Sequence, residues 1–223
     1  MVVERMKNIT VISGGTATNH ILDGFDSNKF NINYILPVSD NGGSSSEIIR
    51  VFGGCAIGDI RSRLVRLIPD EIEYCNKKHI NGIKELLSFR LSEDENIAKN
   101  EWCLIVDGSH LIWDKVENRL KVMLLSFLIH VDMEIHKRLK LGFKFQLASI
   151  GNLFLTGTRL FFGDLDSGIE LISRICRISE NINVAGCLNT NFTYHIAAIL
   201  ENGGIIRGQS QISHPVVIDN NSD

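Results

Sequence analysis

The chain has 223 residues, of which 44% are hydrophobic and 22% charged, and its formal charge is -3 at pH 7; that suits a folded unit with a sizeable core and excludes a global electrostatic pull toward nucleic acid. Its cysteines, Cys55, Cys75, Cys103, Cys176 and Cys187, are scattered and include no Cys-x-x-Cys pair, which argues against a disulfide framework or structural zinc and for a reducing, cytoplasmic compartment. The apolar runs at 9–12 and 122–129 are too short for a secretory leader or a membrane span, so no membrane partner is expected.

The first predicted strand is Ile9-Thr10-Val11-Ile12, a β-branched run closed by Gly14-Gly15. Residues 19–25 place Ile21, Leu22 and Phe25 on one side of a short predicted helix. Residues 32–38 form the second predicted strand, ending in another glycine- and serine-rich loop. Two strands joined by a helix-length crossover predict parallel pairing with a right-handed connection. Residues 60–68 predict a helix with Ile60, Leu64 and Leu67 on its apolar face and Arg61, Arg63 and Arg66 around it. The polar stretch 71–100 predicts helices with a loop, and 102–106 a further strand closed by Asp107-Gly108.

Residues 115–140 make the longest predicted helix, whose 122–129 segment is apolar on nearly all sides and is expected to be substantially buried. Residues 146–162 read as a strand end, a turn at Gly151 and a helix rich in Leu and Phe. An amphipathic helix over 166–178 and a strand over 183–188 follow. Residues 195–200 and 205–209 then flank Glu201-Asn202-Gly203-Gly204 as a hairpin. The order is that of an α/β fold with parallel pairing. No repeat, low-complexity tract or linker divides it, so residues 1–216 read as one domain and 217–223 as a frayed polar tail.

Three glycine-rich junctions carry the candidate chemistry. Ser13-Gly14-Gly15-Thr16-Ala17-Thr18-Asn19 follows a strand, where glycine lets the backbone approach an anion and N–H groups at a helix start point outward. Thr16, Thr18 and Asn19 add side-chain donors. The loop is not a Walker A motif, lacking the Gly-Lys-Ser/Thr ending, and it fails the Gly-x-Gly-x-x-Gly dinucleotide spacing; a tight turn with an N-cap is the plain alternative. Ser39-Asp40-Asn41-Gly42-Gly43-Ser44-Ser45-Ser46 is the sharper signal, because open α/β sheets bind ligands at strand C-terminal ends. Its glycines and serines suit a phosphate or diphosphate. Asp40 beside them can hold a Mg²⁺ that bridges phosphates or accept a ribose hydroxyl, while an ordinary capped helix is the alternative.

The third junction, Gly53-Gly54-Cys55-Ala56-Ile57-Gly58-Asp59-Ile60-Arg61-Ser62-Arg63, offers Asp59 as a helix cap, a second metal ligand or a base. Arg61 and Arg63 can clamp a phosphate or be solvated surface arginines. Other constellations fall away: there is no Gly-x-Ser-x-Gly elbow and no His-Glu-x-x-His pair, and Trp102 and Trp113 read as core.

Ile12-Ser13-Gly14-Gly15-Thr16, Val38-Ser39-Asp40-Asn41-Gly42-Gly43-Ser44-Ser45 and Gly58-Asp59-Ile60-Arg61, with the later Ser149-Ile150-Gly151-Asn152-Leu153, resemble the CofD/YvcK-like superfamily (UPF0052) in its eukaryotic branch. That family holds 2-phospho-L-lactate transferase and the bacterial gluconeogenesis factor. The resemblance implies a Rossmann-like, mostly parallel sheet in three layers that binds a nucleoside diphosphate conjugate with Mg²⁺. By motif match it assigns binding to Gly14, Gly15, Thr16, Ser39, Asp40, Gly42, Gly43, Ser44, Asp59 and Asn152, with Asp40 and Asp59 the candidate metal-holding or catalytic carboxylates; the loops themselves add Asn19, Asn41, Ser45, Arg61 and Gly151 as candidate binding residues. Two departures stand out. Ala17 occupies a position usually held by glycine, which would strain the loop if φ there were positive. Family members also continue past residue 223, so the fold is expected to be incomplete at its C-terminus.

The functions that follow are a Mg²⁺-dependent phospho-acyl transferase of the phospholactate type, or a nucleotide-sugar sensor without turnover, such as one for a UDP-sugar. A dinucleotide oxidoreductase with Asp40 on the adenosine ribose fits the glycine spacing poorly, and a scaffold with a vestigial site completes the alternatives. The expected partner is the nucleotide conjugate, with no nucleic acid; a homodimer is left open.

Overall fold

The computed structural model describes residues 6–40, 42–70 and 77–214. Three strands form a parallel sheet in the order β1 (Lys7–Ile12), β2 (Phe30–Leu36), β3 (Ile182–Gly186). Ile9 pairs with Ile32 on one side, and Ile32 with Ile182 on the other. The α/β class and the parallel register expected from the crossover are both present. β2 alternates: Ile32, Tyr34 and Leu36 are buried, while Asn31 and Asn33 point to the opposite face. There they bond Asn8 and Asn183 of the neighbouring strands at 3.0 and 3.3 Å.

The remaining elements are mostly helices. After β2 come α1 (Gly43–Phe52), α2 (Gly58–Leu67), α3 (Lys77–Ser88) and α4 (Glu95–Val106). Next are α5 (Asn118–Lys137), α6 (Ile150–Phe162) and α7 (Leu165–Ile175). A small antiparallel hairpin, β4 (Ala197–Ile199) and β5 (Ile205–Arg207), leads into the short α8 (Gln209–Ser213). The layers run sheet, helices, helices: α2 and α7 pack on β3, α6 packs on both, and α3 and α5 lie against α6. α6 is the axis of the molecule, since every residue from Ile150 to Arg159 is buried. One contiguous apolar cluster joins all three layers. Among the described residues no helix is long and apolar enough to cross a membrane.

Several expectations need correction. Residues 19–25 are not a helix but consecutive turns ending in a 3₁₀ turn at Leu22–Gly24; so short a segment gains little against the cost of helix nucleation. Residues 102–106 are the last turns of α4, not a strand. Asp94 caps that helix by accepting from the N–H groups of Asn96 and Ile97, and Ala98, Trp102 and Ile105 share its buried face. A short apolar run fits either period, and the cap decides it. The 122–129 segment is only half buried. Leu124 and Leu128 face the core, but Val122 is 58% exposed and Ile129 41%, because α5 lays a single face on α6.

The approach to α6 contains no strand, only an isolated bridge between Arg90 and Ser149. Gly151 lies inside α6 and not in a turn. A Cβ there would fall 2.3 Å from the Leu87 carbonyl oxygen, so glycine serves close helix packing. Ala17 is not strained: the described non-glycine residues with positive φ are Leu147 and Arg177. The tail at 217–223 and Asn41 lie outside the described residues.

Candidate functional site

Three helices begin at one place. Asp40 follows β2, and its Oδ1 accepts the Gly42 N–H at 2.9 Å, a side-chain turn that delivers the chain into α1. Gly42 occupies the N-cap of α1 with no side-chain acceptor, and Gly43 takes φ +53°, a backbone region that favours glycine. α2 starts behind Ile57, and α6 behind Ser149, likewise without a side-chain cap. Gly58 lies so close to α1 that a Cβ would stand 3.0 Å from Ser45 Oγ. Asn152, 2% exposed, ties the three together: its Oδ1 accepts from Arg61 Nε at 3.1 Å and its Nδ2 donates to Ser44 Oγ at 3.0 Å.

These first turns line a cavity of about 460 Å³. Thr16, Asp40, Gly42, Gly43, Ser44, Ser45, Asp59, Arg61 and Asn152 all face it. Gly151, packed on Leu87 and Arg61, and Ser39, half-buried between β2 and α1, are not among the residues that line it. Three features that sequence reasoning missed also border it: Ser62, Arg90, and Gln209, Ser210 and His214 around α8. Arg90 sits in no local motif, and the α8 residues arrive only through the return of the chain after the hairpin, so no sequence signal marks them.

The positive ends of three helices and the Arg61 and Arg90 guanidiniums make this an anion-seeking surface. Burial holds Arg61 below its ordinary pKa, and the charge of Arg90 adds to that effect. On the other wall stand two carboxylates. Burial pushes the Asp59 carboxyl above its ordinary value, and the negative charge of Asp40 pushes in the same direction, against the Gly15 N–H bond that opposes it.

The loop after β1 is used differently. Asp59 does not cap its own helix; its Oδ1 accepts the Gly15 N–H at 2.9 Å. Arg63, fully buried, lies over the Tyr34 ring at 4.9 Å. Its guanidinium donates to Gly14 O at 3.3 Å and Thr18 Oγ1 at 2.5 Å, with a longer 3.4 Å contact to Asn19 Oδ1. Gly14, Gly15 and Asn19 are thus engaged by α2, and Thr16 alone of this loop's candidate binding residues reaches the cavity. Arg63 is neither solvated nor a phosphate clamp. Its i+3 spacing from Ile60 places it on the buried face, a signal the sequence does carry.

Mg²⁺ can be tested against this donor set. Asp40 and Asp59 each spend one oxygen on a backbone N–H. No group of three or more His, Cys, Asp or Glu converges among the described residues. Two carboxylates, with no third His, Cys, Asp or Glu converging on them among the described residues, suit Mg²⁺ shared with phosphate oxygens and water better than an all-carboxylate cage.

The family profile described as 2-phospho-L-lactate transferase CofD matches residues 9–220. The Saccharomyces cerevisiae protein YNL011C, described as uncharacterized, is 51% identical over 214 residues, covering 93% of this chain and 46% of its own length. A Nostoc protein that carries the name gluconeogenesis factor is 40% identical over 67 residues, 30% of this chain and 15% of its own. Protein BH3568 from Bacillus halodurans, titled a member of the UPF0052 family, has the same fold. It superposes with a TM-score of 0.60 at 23% identity, covering 93% of this chain and 47% of that one. The chain therefore spans about half the length of the yeast and Bacillus proteins.

Proposed function

Because this chain belongs to the CofD family, we propose that its cavity binds a nucleoside diphosphate conjugate, with the diphosphate on the first turns of α1 and α2. The observation that carries this reading is the meeting of three helix N-termini at Asn152, with Arg61 on one side and Asp40 and Asp59 on the other. Asp40 and Asp59 would hold Mg²⁺, which supplies charge neutralisation at the diphosphate when bound.

Group transfer at such a site forms a bond from an acceptor hydroxyl oxygen to the distal phosphorus and breaks the anhydride bond, releasing the nucleoside monophosphate. The acceptor's proton passes to water or to a nearby carboxylate. What this chain contributes is position and charge: N–H groups and Arg61 on the phosphate oxygens, and Asn152 fixing Arg61 and Ser44 in place. The reading is thus a phospho-acyl transferase of the 2-phospho-L-lactate type. A second reading, a nucleotide-sugar-binding regulator without turnover, is favoured by the likeness of 67 residues to the Nostoc protein.

Thermal shift with GDP, UDP and UDP-sugars, with and without Mg²⁺, tests the shared premise. Stabilisation that needs Mg²⁺ and disappears in Asp40→Ala is the expected result. A response to NAD alone, or to no nucleotide, sinks both readings. Turnover of a bound conjugate with an acceptor then separates transferase from regulator.

A further inference from the structure

α5 carries two apolar seams, and the fold uses one of them. Leu124, Leu128, Val131 and Ile135, spaced four, three and four residues apart, are its buried side. Val122, Ser126, Ile129 and Met133 repeat that spacing on the opposite side of the helix, where all four are exposed, Met133 by 53%. This alternation is the spacing of a helix-pair seam, and a helix apolar on both sides suits burial on both. The open seam ends at Arg119 and Lys137, with no acidic or basic seam position between them. Phe161 and Phe162, exposed at the end of α6, widen the surface: both rings pack on Phe127, and Phe161 meets His130 edge-on at 5.9 Å. An apolar patch joined across two helices marks a contact surface.

Two properties of the seam fit a second copy of the same helix. The first is its centre. Ser126 is small enough to let a facing helix approach, and its hydroxyl donates to the Val122 carbonyl oxygen at 2.8 Å, so it can be covered without losing a partner. A two-fold axis at Ser126 runs the helices antiparallel. It sets Met123 of one copy against Ile129 of the other, Val122 beside the His130 and Phe161 rings, and Met133 on the aliphatic stem of Arg119.

The second property is charge. At the start of α5, Asp114, Glu117 and Arg119 leave one net negative charge, and Lys115 is already paired with Glu85 at 2.7 Å. At its end, Glu134 lies between Lys137 and Arg138, and with Lys140 these four leave two net positive charges. Antiparallel pairing brings the negative end of each copy to the positive end of the other, twice over; a parallel pair would join like ends.

We infer that the open seam of α5 is a homodimer interface, in which two copies pair antiparallel across a two-fold axis at Ser126. Sedimentation of the full chain tests this. The native chain is expected to dimerise with a dissociation constant on the order of 10 µM. Ile129→Glu places a charge on the seam in both copies and is expected to raise that constant about a hundredfold, with helix content by circular dichroism unchanged. Oxidation of Ser126→Cys is expected to join residue 126 to itself between copies, identified by mass spectrometry of the linked peptide; Met123→Cys, off the axis, should give no such self-link. Asp114→Lys with Glu117→Lys is expected to weaken the dimer about tenfold, and adding Lys137→Glu and Lys140→Glu to restore it. A native chain still monomeric at about 100 µM overturns the inference; if that monomer binds phosphatidylserine vesicles, the face belongs to a lipid surface instead. A dimer indifferent to Ile129→Glu overturns it as well. Failure of the second charge reversal to restore the dimer, or a Met123 self-link in place of one at 126, overturns the antiparallel arrangement.

Discussion

The loops that follow β1 and β2 are made of the same materials, paired glycines with hydroxyl side chains, and both leave a strand at the same edge of the sheet. The first turns inward. Its Gly15 N–H goes to Asp59, and its Gly14 carbonyl and Thr18 hydroxyl go to a buried arginine. The second runs into a helix whose N-cap has no side-chain acceptor, and its Gly43, Ser44 and Ser45 face a cavity. Glycine serves opposite ends in the two places. In the first it admits the backbone of α2 at close range; in the second it leaves room for something from outside. A glycine-rich loop is an anion site only when its N–H groups are not already claimed by the protein.

Substitutions at the two loops separate these roles. The largest effect is expected at Gly15→Ala, where a Cβ would lie 2.7 Å from both the Cα and the carbonyl oxygen of Asp59. The chain must then move α2 or the loop, and a loss of about 3 kcal/mol is expected in urea unfolding. Gly42→Ala, with φ -83° and its nearest obstacle an Asp40 carboxylate oxygen at 3.2 Å, is expected to change stability by less than about 1 kcal/mol while weakening nucleotide binding. Equal losses in the two variants would erase the distinction between strut and cradle.

Asp59 belongs to both loops, and its titration sharpens the comparison. Its carboxyl is raised above the ordinary value of 3.8 by burial and by Asp40. The folded chain therefore holds that proton longer than the unfolded chain, and stability from this group is lost as pH rises through the raised value. Asp59→Asn keeps an oxygen for the Gly15 N–H but cannot ionise. Urea midpoints of the variant and the native chain should diverge in the variant's favour as pH rises above 3.8. Mg²⁺ with a nucleoside diphosphate should reverse that order in the native chain alone. Parallel pH profiles would show that Asp59 carries no buried charge.

The smallest effect concerns Ala17, whose backbone is not left-handed. Ala17→Gly removes no strain and adds freedom to the unfolded chain, so it should cost about 0.5 kcal/mol and leave binding intact. A gain in thermal stability would show that the loop does want glycine there.

Much of the scaffold is legible because it rests on short-range patterns. β-branched runs closed by glycines give β1 and β2, the spacing of Ile60 and Leu64 gives α2, and Asn202-Gly203 between apolar arms gives the hairpin. Where the reading went astray, two local signals were equally good or a distant group intervened. The 102–106 run suits a strand as well as a helix until Asp94 is seen to cap it. Gly151 reads as a turn until Leu87 is brought against it.

The candidate site divides along the same line. By itself the sequence determined the candidate groups: the glycines and serines of the second loop, Asp40, Asp59, Arg61 and Asn152 are nameable from motif and family resemblance. Only the tertiary structure decided their use. It spends the first loop on Arg63 and Asp59, joins three helix starts through Asn152, and brings Arg90 to the cavity they line. The reason is physical. A motif specifies which groups can donate or accept, but whether a donor is free depends on contacts 44 to 108 residues away, which no local pattern encodes.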